Sequence, residues 1–197
     1  MCAFHRDENK QLSVDGLPLT AIVDQYGSPV YVYSAAGIID AFTRFQSAVA
    51  PVNGKVHFAM KANPALGVLA LIGKLGGGMD IVSAGELARA IAAGIKPIDV
   101  VFSGVGKTND EIRQALAYGI GQINAESPAE VAAISTIAAE MKLVAPVALR
   151  VNVDVNPGTH AKISTGHRDT KFGISTDQRE ASNLYQKLAN DPHIAPA

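Results

Sequence analysis

From residue 56 onward, short runs of apolar and β-branched residues alternate with alanine-rich stretches in which apolar positions recur every three or four residues. A period of two giving way repeatedly to a period of 3.6 is the pattern of βα units wound around a parallel sheet. It predicts five strands: VHFAM (56–60), MDIVS (79–83), DVVFS (99–103), QINAE (122–126) and PVALRVNV (146–153). After the first strand, Asn63 is a candidate helix cap with Pro64 at the first helical position, and Leu66, Leu69 and Ile72 form the apolar stripe. Ser83 with Glu86, Thr108 with Glu111 and Ser127 with Glu130 each fit the S/T-x-x-E capping box, which satisfies orphan N–H donors at a helix start. Gly76, Gly94 and Gly119 fall where these helices should stop.

The flanks read differently. PVYVYS (29–34) is a strand signal, and Ser34 is placed to cap a helix with Ile38, Ile39, Phe42, Phe45 and Val49 on one face. After the fifth strand, residues 154–173 are polar, and a final helix is expected from near Ser175 with Leu184, Tyr185 and Leu188 inward. A long segment without its own secondary structure is often functional, which leaves a role for it near the mouth of the sheet. The one domain division to propose lies at Gly54, where the βα series begins. A complete eight-stranded βα barrel takes about 250 residues. Five strands therefore mean an open doubly wound sheet or an unfinished barrel, and the ending NDPHIAPA, without a closing signal, favours the unfinished barrel.

Composition narrows the partners. With 48% hydrophobic residues the chain can build a core, and Lys+Arg 17 against Asp+Glu 18 leaves a net charge of -1. With no basic block, neither nucleic acid nor anionic lipid is the expected partner, because such binding rests on clustered Lys and Arg. One cysteine, Cys2, excludes a disulfide framework and a cysteine-built zinc site. The start MCAFHRDENK lacks the halves of a signal peptide, and no apolar run is long enough to span a bilayer. The expectation is a soluble cytoplasmic protein that handles small molecules.

The candidate chemistry begins at Lys61. Strand parity puts His57, Ala59 and Lys61 on one face, and Lys61 at the carboxyl end of an expected central strand, where βα folds assemble their sites. An amine desolvated there by an apolar wall is a nucleophile toward an aldehyde; the alternative is a surface lysine at a strand end. Asp80 alternates with Met79 and Ile81, so it points either inward toward Lys61 or out to solvent. Arg150, flanked by Leu149 and Val151, faces either solvent or a barrel interior, where a guanidinium needs a partner. GVGKT (104–108) resembles a P-loop tail, but Val101 stands where the motif requires glycine. GGG (76–78) precedes a strand and reads as a tight turn. His160 and His167, with Lys162 and Lys171, lie in the polar stretch without a metal-ligand spacing.

An aromatic residue followed by Ala-x-Lys-Ala-Asn, with Val68, Leu69 and Ile72 at helical positions and Gly76 at the close, resembles the pyridoxal-phosphate attachment signature of the ornithine, diaminopimelate and arginine decarboxylases. The resemblance continues in order through GGGMDIVSAGELARAIAAGI, VVFSGVGKTNDEI, INAESPAE, ALRVNVDVNPGTHAKISTG and KFGIS, covering residues 29–190. It implies an α/β fold: a partial (β/α)8 TIM-type barrel of about five of eight βα units (54–197). The barrel is preceded by a strand and helix (1–53) contributing to a mostly missing β-domain and to the barrel edge.

The resemblance also implies that Lys61 carries pyridoxal 5′-phosphate, with Asp80 and Arg150 in the cofactor pocket, where Asp80 is the expected neighbour of Arg150. The stretch GTHAKISTG (158–166) is most similar to the branch acting on diaminopimelate, implying that the intact protein converts meso-diaminopimelate to L-lysine and is a homodimer. Alternatives are an ornithine- or arginine-type decarboxylase, a racemase on the same barrel, or a non-catalytic scaffold. The family's stacking histidine, glycine-rich phosphate cradle, substrate-binding arginine and partner-donated cysteine come later in the chain than the matched segments. His193 sits in a different context, a turn leading into a strand. The chain alone is therefore expected to be inactive, with unpaired sheet edges that favour association.

Overall fold

The structure, a computed structural model, describes residues 3–6, 8, 10–153, 173–175 and 179–197. It opens with a small antiparallel sheet of β1 (Phe4–Arg6), β2 (Leu12–Val14) and β3 (Leu17–Pro18). Asp15 and Gly16 join the last two strands with φ of 48 and 82°. Two successive positive φ values are what a two-residue type I′ hairpin needs, and Asp-Gly is a preferred pair for it. Two helices follow, α1 (Leu19–Tyr26) and α2 (Ala35–Val49). Ser34 caps α2 as expected, its Oγ accepting from the Gly37 N–H at 2.9 Å.

The βα series then runs β4 (His57–Ala59), α3 (Leu66–Lys74), β5 (Gly78–Ile81), α4 (Ala84–Ala92), β6 (Val100–Phe102), α5 (Asn109–Tyr118), β7 (Gln122–Ala125), α6 (Pro128–Met141) and β8 (Ala145–Leu149). A two-stranded parallel ladder of β9 (Val151–Asn152) and β10 (Ile174–Ser175) comes next, then α7 (Glu180–Ala189) and β11 (Ile194–Pro196). Among the described residues six strands form one sheet in the order β11-β8-β7-β6-β5-β4, with every neighbouring pair parallel.

A doubly wound sheet reverses its strand order at a switch point and carries helices on both faces. This sheet runs strictly in chain order. Its alternation is one-sided: Met79, Ile81, Val100, Phe102, Ile123 and Val147 are buried in one cluster with helix residues such as Leu69, Leu87 and Ile134. The opposite face carries partly buried residues, many of them polar. Helices on one face of an all-parallel, sequential sheet make the wall of a barrel, which decides between the two architectures left open by the sequence. Each fully buried large side chain such as Phe102 adds roughly 1.5–3 kcal/mol of apolar burial to that wall.

The helix starts explain the regular spacing. Ser83, Thr108 and Ser127 all accept from the backbone N–H three residues on. Only Thr108 closes the full box, with Glu111 returning to the Thr108 N–H at 3.0 Å. Glu86 and Glu130 instead accept from the residue before the cap, Val82 N–H and Glu126 N–H, both at 2.7 Å. Gly76, Gly94 and Gly119 end their helices with φ of 88, 81 and 71°. Gly78 has another reason to be glycine: a Cβ there would strike the Asp99 carbonyl and the His57 ring.

Several expectations are corrected. PVYVYS forms no strand among the described residues; Tyr31 is 90% exposed and Tyr33 54%. On α2, Phe42 is buried, but Ile39 and Phe45 are exposed, so the inner stripe is narrower than the spacing suggested. The helix after β4 is capped at Ala65, not Asn63; Asn63 makes a local turn by accepting from Ala65 N–H at 3.0 Å, and Leu66 is exposed while Val68 is buried. The stretch 146–153 is broken at Arg150, where the chain leaves β8 and β9 pairs with β10 instead. Ser175 lies in β10 and the last helix starts at Glu180, with Tyr185 exposed. The ending holds a sixth strand: Ala145 N–H donates to His193 O at 2.9 Å, and Ile194 pairs with Ala145.

Candidate active site

The carboxyl ends of the strands carry the candidate residues. Lys61 lies just past β4 in a single 3-10 turn, Met60–Ala62, and is exposed. It makes no hydrogen bond or ion pair among the described residues, and they do not wall in its amine as the sequence reading expected. β4 is an edge of the described sheet and not a central strand. Register places Ala59 directly opposite Asp80 on β5, so Asp80 stands one strand away from Lys61 and two residues back.

Asp80 points to the inner face, half-buried, while Met79 and Ile81 pack under the helices. Its Oδ1 accepts from the Ser103 hydroxyl at 2.5 Å; Ser103 accepts from Asn124 Nδ2 at 3.0 Å, and Asn124 Oδ1 accepts from Gln122 Nε2 at 2.6 Å. A continuous polar row thus runs from β7 past the end of β6 to β5, toward the end of β4 beyond which Lys61 lies.

Arg150 is not the neighbour of Asp80. Two strands separate them, and Arg150 donates to Glu126 Oε1 at 2.9 Å. The Glu126 side chain is only 4% exposed, against 40% for Arg150. It accepts as well from Gly104 N–H at 3.3 Å and Gly173 N–H at 3.0 Å. One buried carboxylate therefore ties the chain leaving β6, β8 and the start of β10, and three donors compensate its desolvation.

The side chain of Lys107, the lysine of GVGKT, is fully buried, at 0% exposure. Its Nζ donates to Gly104 O, Asn124 O and Glu130 Oε1, each at 2.7 Å, and lies 5.7 Å from the Phe102 ring centroid. All three ammonium donors are used, so this lysine is a staple between strand ends and is not free to bind a phosphate. GGG forms the helix-to-strand turn that the sequence predicted. His57 sits half-buried at the opposite, amino-terminal end of β4; burial holds it below the ordinary histidine value, with Lys55 and Asp99 acting as secondary influences. His160, His167, Lys162 and Lys171 lie outside the described residues.

The structure thus sets Lys61 and Asp80 at the ends of neighbouring strands, without a hydrogen bond or ion pair between them, and pairs Arg150 with Glu126. Sequence reasoning missed Ser103, Asn124 and Glu126 as members of this face. Parity was the available signal: Gln122, Asn124 and Glu126 alternate with buried Ile123 and Ala125.

The family described as pyridoxal-dependent decarboxylase, pyridoxal binding domain, matches residues 35–195. The chain is 48% identical over 190 residues to the diaminopimelate decarboxylase of Zymomonas mobilis, covering 95% of this chain and 45% of that protein. It is 46% identical over 184 residues to that of Pseudomonas aeruginosa, covering 93% and 44%. Among solved structures, the Helicobacter pylori diaminopimelate decarboxylase complexed with L-lysine superposes with a TM-score of 0.86 at 36% identity, over 91% of this chain and 45% of the other. The M. jannaschii enzyme in complex with L-lysine gives 0.89 at 30%, over 100% and 46%. The chain spans less than half the length of these relatives.

Proposed function

Because this chain belongs to the pyridoxal-dependent decarboxylase family, we propose that it forms the lysine-bearing wall of a barrel whose whole protein converts meso-diaminopimelate to L-lysine. The observation that carries the reading is the placement of an unpaired primary amine, Lys61, at the carboxyl end of β4 beside an inward carboxylate on the adjacent strand. The donor set fits pyridoxal 5′-phosphate: an accessible amine for its aldehyde, and in Asp80 a carboxylate with one oxygen fixed by Ser103 and the other without a partner among the described residues. An arginine paired with Glu126 completes the set.

Lys61, Asp80 and Arg150 would hold the cofactor, which when bound supplies an electron sink for the pair left behind as carbon dioxide departs. Lys61 anchors it through its ε-amine and, when free, holds or releases a proton at Nζ. Asp80 presents fixed negative charge on the inner face. Arg150 presents a guanidinium that the buried Glu126 helps to hold.

We assign residues 1–53 to a second, β-rich domain and the barrel edge, and residues 54–197 to the cofactor-binding barrel. The amino acid substrate, a homodimeric assembly and a cytoplasmic location belong to the same proposal. No helix of the described residues is long and apolar enough to cross a membrane. Fusing this chain to the carboxyl-terminal remainder of the Zymomonas mobilis relative tests the activity. Carbon dioxide release from meso-diaminopimelate, and not from ornithine or arginine, is the expected result; release only from ornithine or arginine, or none from a folded fusion loaded with cofactor, overturns it.

A further inference from the structure

We propose that Ser103 and Asn124 are positioning residues that set the orientation of Asp80. The inference rests on the cofactor reading above and deepens it. A lone carboxylate on a strand rotates about its last torsion, because a terminal sp³–sp² bond has a broad, two-fold profile. Asp80 is held against that freedom by a chain of donors with one consistent direction.

The direction follows from valence. Asn124 Oδ1 faces the Gln122 amide nitrogen, a donor, which leaves Asn124 Nδ2 to donate toward Ser103. Ser103 Oγ, accepting that hydrogen, keeps a single hydrogen of its own, and at 2.5 Å it goes to Asp80 Oδ1. The row therefore presents a donor to Oδ1, favours the ionised carboxylate as its acceptor, and leaves Oδ2 facing the inner side of the wall.

The backbone beneath the row is fixed independently. Asn124 O is a ligand of the buried Lys107 ammonium, and Ser103 N–H donates to Ile81 O at 2.8 Å. Both relaying side chains thus project from strand ends that do not slide. Half-buried hydrogen-bonded rows of this kind add little to global stability, since each bond replaces one made to water in the unfolded chain. The sharper consequence is for whatever Asp80 faces.

The test uses the full chain loaded with pyridoxal 5′-phosphate, comparing wild type with Ser103→Ala, Asn124→Ala and Ser103→Thr. Three quantities are read: the dissociation constant of the cofactor, the induced circular dichroism of its visible band, and the side-chain amide resonances of Asn124 in the unloaded protein. Deleting the charge-assisted bond in Ser103→Ala, or the neutral donor that orients the Ser103 hydroxyl in Asn124→Ala, predicts that both variants weaken cofactor retention, Ser103→Ala by about tenfold, and diminish the induced band. Ser103→Thr, which keeps the hydroxyl, restores both. The Asn124 amide resonances move in unloaded Ser103→Ala and stay near wild type in Ser103→Thr. A Ser103→Ala protein that binds cofactor with wild-type affinity and dichroism overturns the positioning role, as does a threonine variant that folds and fails to rescue. Failure of the underlying reading looks different: wild-type protein that takes no cofactor on Lys61 removes that reading and the positioning role with it, even if the Asn124 resonances behave as expected.

Discussion

Replacing Lys107 with methionine removes a buried, three-fold hydrogen-bonded ammonium from the barrel wall. Methionine keeps an unbranched, polarisable side chain of similar length, so packing on Phe102 is largely preserved. What is lost is the ammonium. Gly104 O and Asn124 O lose their buried donor, and Glu130, only 12% exposed at its side chain, loses its counter-charge while still accepting from Glu126 N–H. Breaking one side of a buried pair costs about 3–5 kcal/mol. Two orphaned carbonyls at roughly 1–3 kcal/mol each reach the same range.

At about 2–4 °C per kcal/mol for a chain of this size, the melting midpoint should fall by roughly 6–20 °C. Urea unfolding followed by circular dichroism measures the loss, provided the slope is unchanged. The double variant Lys107→Met with Glu130→Gln removes the uncompensated carboxylate as well, and should recover about 1–2 kcal/mol of the loss. A single-variant loss below about 1 kcal/mol, the value expected of an exposed lysine, would refute the staple and reopen GVGKT as a binding loop.

Glycine substitutions give a paired contrast. Gly78→Ala drives a methyl into the Asp99 carbonyl and the His57 ring and should cost roughly 1–3 kcal/mol. Gly67→Ala, in α3 with nothing near its would-be Cβ, should stabilise by about 0.4–1 kcal/mol; thermal melts in which the two change stability alike would refute the packing. On the pH axis, His57 is depressed chiefly by burial, so its neutral form is the native one. Its contribution is complete above the ordinary value of 6.5 and is lost as pH falls through the lowered native value. Urea midpoints should therefore decline from about pH 7 downward, and His57→Gln should flatten that decline; an unaltered slope contradicts the assignment. Asp15, Glu111 and Asp191 are lowered, first by bonds from Ser34, Thr108 and Ser135 respectively, so their contributions persist above the ordinary carboxylate range and disappear only in stronger acid.

The barrel wall was legible because its signals are local. Most strands are short apolar runs, the starts of α4, α5 and α6 carry Ser or Thr three residues before Glu, and Gly119 and its counterparts take the left-handed conformation the spacing requires. Longer-range facts were not legible. Nothing in the spacing says that Arg150 meets Glu126 at the end of the neighbouring strand, or that the Lys107 side chain is buried, because both depend on the register between strands. The sixth strand, Ile194–Pro196, is legible only as the strand into which the His193 turn leads and is not among the five, because three residues ending in proline make a weak strand signal; its pairing with β8 supplies what propensity does not. The Asp15–Gly16 turn was readable and missed: Asp-Gly between Val14 and Leu17 is a hairpin signal. Exposed Tyr31, Ile39 and Phe45 are apolar by composition only, and composition does not distinguish a core from a surface.

The central claim is that the ε-amine at the end of β4 is the attachment point for pyridoxal 5′-phosphate. Reduction of the cofactor-loaded chain with borohydride, followed by peptide mass spectrometry, addresses it directly. A pyridoxyl group on Lys61, in preference to the exposed Lys74, Lys96 and Lys142, is the predicted result. A label spread evenly over those lysines, or absent from Lys61 at saturating cofactor, would contradict it.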